Sequence, residues 1–125
     1  MKLVLDAGAL IAFERGDRMI AALLKRELLE QRRPRTHGGV VGQVWRAGAR
    51  QARVARLLQA VEVVPLDLEL GRRAGLLLGR ARQTDVIDAA LVLLASDDDW
   101  IVTSDPADLQ PLAEGAGLHV EIVPV

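Results

Sequence analysis

The chain has 125 residues, 50% of them apolar and 26% charged, and it contains no cysteine. One folded domain fits these values, whereas a disordered polar chain, a collagen-like fibre, a disulfide scaffold, a thiolate zinc site and a cysteine nucleophile do not. Sixteen basic side chains against seventeen acidic ones leave a formal charge of −1, a balance that does not advertise nucleic-acid binding. The distribution says more, because fourteen of the sixteen cations are arginine and ten of those lie between Arg15 and Arg56. Arginine suits bidentate phosphate contacts, although GC-rich coding produces the same enrichment. The three aromatic residues, Phe13, Trp45 and Trp100, are too few for a base-stacking platform. Asp6, Glu14 and Asp17 argue against a secretory signal, and no apolar run approaches the ~18–20 residues of a membrane span. The expectation is a cytoplasmic, soluble protein with no membrane partner.

In chain order, Lys2–Leu5 reads as a buried strand that breaks at Asp6-Ala-Gly8. Ala9–Glu14 reads as a short helix. Asp17 caps a longer one running to about Glu30, with Ile20, Leu23, Leu24 and Leu28 on one face. The polar stretch from Gln31 to Arg35 separates it from a second strand at His37–Val40, and Val41–Gly48 is helical after that. Gln51–Ala60 is a helix, Val61–Val64 a third strand, and Asp67 caps a helix that Gly79 ends near Leu78. Thr84 caps a helix from Asp85 to Ser96 that is apolar nearly all round. Trp100–Thr103 is a strand, Pro106–Glu114 a helix and His119–Val123 the last strand, ended by Pro124. Strands alternating with helices predict an α/β fold with a mostly parallel sheet covered on both faces, a three-layer α/β/α sandwich.

Ligands of such sheets bind beyond the carboxyl ends of the strands. Asp6 and Asp105 fall there, and Asp85 and Asp88 occupy the first turn of the apolar helix. Asp85 also serves the helix dipole and Asp105 an ordinary cap. Asp6 and Asp88 are less easily explained that way, since each lies among apolar neighbours where a lone carboxylate must protonate, pair or hold a metal. Two such groups ~5 Å apart repel by roughly 3 kcal/mol, and a hard divalent cation reverses the sign. Other constellations fail. His37 and His119 lack metal-spaced partners, Ser96 and Ser104 lack a histidine base, and Gly38-Gly39 is too short for a phosphate loop. Asp97–Asp99 reads as a solvated loop. Arg46, Arg50 and Arg53 share one helical face, read as solvated or partner-facing rather than phosphate-binding.

The stretches Leu3–Ala12 (LVLDAGALIA), Val86–Ala95 (VIDAALVLLA) and Ile101–Leu109 (IVTSDPADL) resemble, in order and spacing, those of the PIN-domain family, and more narrowly its VapC-type toxin ribonucleases. The likeness spans essentially the whole chain and implies one PIN-like domain over residues 1–125. It also implies an acidic pocket holding Mg²⁺ or Mn²⁺ in which an activated water cleaves an RNA phosphodiester. By position it assigns metal binding to Asp6, Asp88 and Asp105, with Asp85 as an outer or alternative ligand and Thr103 hydrogen-bonded near the first carboxylate. A cognate antitoxin and a homodimer are the implied partners besides RNA. The chain departs from the family at Gln43, which stands where an acid is usual and adds no charge. The departure implies weaker metal binding and makes Glu14 a candidate replacement. It also leaves open a PIN-fold module that binds a partner protein or RNA without cutting it. Two other Asp-using folds fit worse: a haloacid-dehalogenase-like phosphatase expects an Asp where Gly8 stands, and a receiver domain expects a late lysine, whereas the lysines here are Lys2 and Lys25.

Overall fold

The computed structural model describes residues Met1–Val125. Its elements are β1 (Leu3–Leu5), α1 (Ala7–Glu14), α2 (Arg18–Leu29), β2 (Arg35–His37), α3 (Gly38–Val44), a 3₁₀ turn (Ala49–Gln51), α4 (Ala52–Ala60), β3 (Glu62–Val64), α5 (Leu68–Ala81), α6 (Val86–Val92), β4 (Trp100–Thr103), α7 (Pro106–Gly115) and β5 (Glu121–Pro124). One five-stranded sheet runs β3-β2-β1-β4-β5, and every pairing in it is parallel. Helices α1 to α4 pack around α1, and α5, α6 and α7 pack on one another, giving an α/β/α layering. Leu3, Val4, Leu5, Ile101 and Val102 in the two central strands are wholly buried, which is why these strands read as unbroken apolar runs. The chain steps outward from β1 to β3, then returns to β1's other side with β4. Connections therefore diverge between β1 and β4, and a crevice opens beyond their carboxyl ends. No helix is long and apolar enough to cross a membrane.

Several elements differ from the sequence expectation, each for a local polar reason. Strand β2 starts at Arg35 rather than His37, because its polar residues find partners across the sheet. Arg35 Nε meets Glu62 Oε2 at 3.1 Å and its Nη1 donates to Leu94 O at 3.2 Å, while the Thr36 hydroxyl donates to Leu5 O at 2.7 Å. His37 thereby becomes the cap of α3. That helix stops at Val44 because Gln51 clamps the exit, its Nε2 donating to Val44 O at 2.7 Å and its Oε1 accepting from Arg46 N–H at 2.8 Å. Arg46 and Arg50 therefore leave the helical register, and no single basic face with Arg53 exists.

Helix α5 passes through Gly79 and ends at Arg82, whose φ of 55° places it in the left-handed region. A helical glycine costs only ~1 kcal/mol, and Leu77 before it and Ala81 after it pack against α7 at Gly115, where an added Cβ would lie 3.2 Å from Ala81 Cβ. Asp85, not Thr84, caps α6, accepting from Asp88 N–H at 3.0 Å. The helix ends at Val92, and the chain tightens into turn bonds from Leu94 N to Leu91 O and from Ala95 N to Val92 O. Asp99, expected in a solvated loop, is buried and gathers this exit by accepting from Ser96 N–H at 2.9 Å and Lys2 N–H at 2.8 Å. Strand β5 runs later than expected and includes Pro124, which an edge strand tolerates.

Candidate functional site

The crevice between β1 and β4 is acidic. Asp6 follows β1 and is 5% exposed. Its Oδ1 accepts from Ala7 N–H at 2.8 Å, and its Oδ2 accepts from the Thr103 hydroxyl at 2.7 Å. The same hydroxyl oxygen accepts from Asp105 N–H at 3.0 Å, so Thr103 ties the ends of both central strands together. Asp105 precedes α7 but makes no capping bond with its side chain. Its exposed carboxylate is therefore free of the structural duty that its place before Pro106 suggested. Asp85, by contrast, is a working cap through one oxygen, with the other uncommitted.

These groups line a cavity of about 490 Å³ together with Asp88, Asp108, Gln43 and Arg46. Asp88 is partly buried, and its carboxyl is pushed from 3.8 up to about 7, first by burial and then by the negative charges of Asp85, Asp6, Asp108 and Asp105. No ion pair relieves the cluster, since the three in the protein join Arg26 and Arg32 to Glu27 and Arg35 to Glu62. The carboxylates surround the cavity without closing on one point. No group of three or more His, Cys, Asp or Glu side chains is gathered closely enough to hold a metal ion. A hollow of about 510 Å³ beside Trp100, His119 and Glu121 opens at the opposite, amino ends of β4 and β5.

Close backbone contacts hold the crevice in shape. A Cβ on Gly8 would collide with the Ser104 side chain and come within 2.8 Å of the Ser104 backbone nitrogen, so glycine lets α1 approach the loop that carries Asp105. His37 is buried and connects α3 to α6. Its Nδ1 accepts from Gly39 N–H at 3.0 Å, which leaves Nε2 to donate to Ile87 O at 2.9 Å. Burial pushes this imidazole below its ordinary value of 6.5, and a second ring proton would face the Gly39 donor. Histidine thus acts as a neutral strut between the helices bearing Gln43 and Asp88.

Of the residues expected from sequence, Asp6, Gln43, Asp85, Asp88 and Asp105 all line this cavity. Glu14 does not, because its Oε2 accepts from Val54 N–H at 2.7 Å and so caps α4. Two further charged residues line it: Asp108, for which no role was expected, and Arg46, which was expected on a solvated or partner-facing face. Asp108 lies one helical turn beyond Asp105, a spacing that places the pair on one side, whereas Arg46 reaches the cavity from the loop that follows the end of α3. Compared with known proteins, the chain matches no family model and no curated sequence.

Proposed function

We propose that this protein is a PIN-like, Mg²⁺- or Mn²⁺-dependent endoribonuclease of the VapC toxin type, with its site in the β1–β4 crevice. The observation that carries the reading is that five carboxylates, Asp6, Asp85, Asp88, Asp105 and Asp108, line one cavity without an ion pair to any of them, a crowding that with burial pushes the Asp88 carboxyl up to about 7. Such uncompensated charge suits a cation. The donors are hard oxygens, and Mg²⁺ takes one or two carboxylates and fills its other positions with water, so an ungathered set fits the ion through a pair rather than a cage. Two of Asp6, Asp88 and Asp105 would hold it directly, with the third and Asp85 and Asp108 adding charge. When bound, a divalent ion supplies Lewis-acid activation of water and offsets charge on the phosphate.

The chain's own contribution is orientation and proton control. Asp6 is locked by Ala7 N–H and the Thr103 hydroxyl, so its carboxylate is held in a fixed orientation. Asp88 would have to give up its proton to hold a cation, which would make binding weaker on the acid side of about 7. The Gln43 amide can orient a water or a phosphate oxygen without adding charge. A second reading, a module that binds a partner protein or RNA without cleavage, draws on neutral Gln43 and on the ungathered carboxylates. An antitoxin and a second copy of the chain are the expected protein partners of either form.

Cleavage of a labelled single-stranded RNA in Mn²⁺ tests the reading. Products should form with the wild-type protein and vanish with EDTA or with Asp88→Asn. An uncut substrate that becomes cut by Gln43→Glu would favour the non-cleaving module.

A further inference from the structure

A second groove of about 270 Å³ adjoins the acidic cavity and shares Ile11, Gln43 and Arg46 with it. Its charge is the opposite. Arg15 from the end of α1, Arg46 from the loop after α3 and Arg50 from the 3₁₀ turn all line it. None of the three belongs to an ion pair. The one carboxylate there, Glu14, is engaged by Val54 N–H. Arg46 is held in place by Nη1, which donates to Gly42 O at 3.1 Å and Trp45 O at 2.7 Å, while the Gln51 clamp fixes its backbone. The other guanidinium nitrogens of Arg46 have no protein partner. Three arginines from three separate segments, the end of α1, the loop after α3 and the 3₁₀ turn, thus line one groove beside the carboxylate cavity without pairing with its carboxylates.

A polyanion whose reacting phosphate must enter a negative cavity needs its flanking phosphates held elsewhere, and arginine forks match phosphate oxygens. No aromatic residue lines the groove, so base stacking has no platform there. We infer that the Arg15–Arg46–Arg50 groove binds the phosphodiester backbone of a single-stranded RNA next to the bond presented to the acidic cavity. The inference rests on the nuclease reading for its choice of polyanion.

Fluorescence anisotropy with a labelled single-stranded RNA in EDTA tests binding apart from cutting. The variants are R15Q/R50Q, R15Q/R46Q/R50Q and, as a control on α5, R72Q, each with its thermal midpoint measured to confirm folding. Each phosphate contact steepens the log affinity against log salt slope by about 0.7, so the triple variant should be shallower by about 2 and bind about tenfold more weakly. R72Q should match the wild type. RNA affinity and slope unchanged in the folded triple variant would overturn the inference, as would no RNA binding by the wild type or preferential binding of a poly-glutamate peptide. Weakened binding in the variants without any cleavage by the wild type would sink the nuclease reading and leave the groove standing. Cleavage that persists with wild-type RNA affinity in the triple variant would do the reverse.

Discussion

Glu27 and Asp88 are both helical carboxylates, the first wholly and the second partly buried, and their surroundings are opposite. Glu27 is wholly buried, with Arg32 Nε at 2.6 Å from Oε2, Arg32 Nη2 at 3.3 Å from Oε1 and Arg26 at 3.5 Å. Asp88 has no cation, and four other carboxylates raise its pKa. The first arrangement is complete within the chain and holds α2 to the turn that follows it. The second has no counter-charge within the chain, which is the ground for the proposed cation. Burial alone therefore does not mark a site; burial without compensation does.

The same chemical change should have opposite signs in the two places. Glu27→Gln removes charge-assisted hydrogen bonds from a buried position and should destabilise the fold by about 3 kcal/mol in urea unfolding. Thr103→Val, which strips the donor from Asp6 and the acceptor from Asp105 N–H, should cost about 1.5 kcal/mol. Asp88→Asn should instead stabilise the metal-free protein, by about 1 kcal/mol once solvent screening of a partly exposed carboxyl is allowed for. A loss of stability in Asp88→Asn would remove the contrast.

The smallest effect is a pH slope. Asp88 has its folded pKa raised from 3.8 to about 7, so its stabilising protonated form is fully present below 3.8 and is lost as pH rises to about 7. His37 is shifted the other way. Its folded value is depressed below 6.5, so the stability it contributes is present above 6.5 and is lost as pH falls from there. Chemical denaturation across this range should show stability declining less toward pH 7 in Asp88→Asn than in the wild type. Equal slopes would mean that Asp88 is not charged against its neighbours.

The central architecture was legible because its signals are local. Leu3–Leu5 and Ile101–Val102 are apolar runs too short to be anything but buried strands between turn and cap residues, and Asp6 follows directly. What stayed hidden depended on long-range partners. Arg35 and Thr36 look like loop residues until β1, β3 and the end of α6 satisfy them. Gln51 cuts α3 short from seven residues away, which dissolved the expected Arg46–Arg50–Arg53 face and sent Arg46 to the acidic cavity. Asp99 reads as solvent-facing in an Asp97–Asp99 run, yet Lys2 and Ser96 backbone donors draw it inward. Asp108 was within reach of helical spacing alone.

Thermal unfolding with and without Mn²⁺, on the wild type beside Asp88→Asn, tests most directly whether the crevice awaits a cation. Metal at ~100 times its dissociation constant should stabilise the wild type by about 2.7 kcal/mol. The variant should start higher without metal and gain little from it. A wild-type midpoint that does not move in millimolar Mn²⁺ would contradict the account.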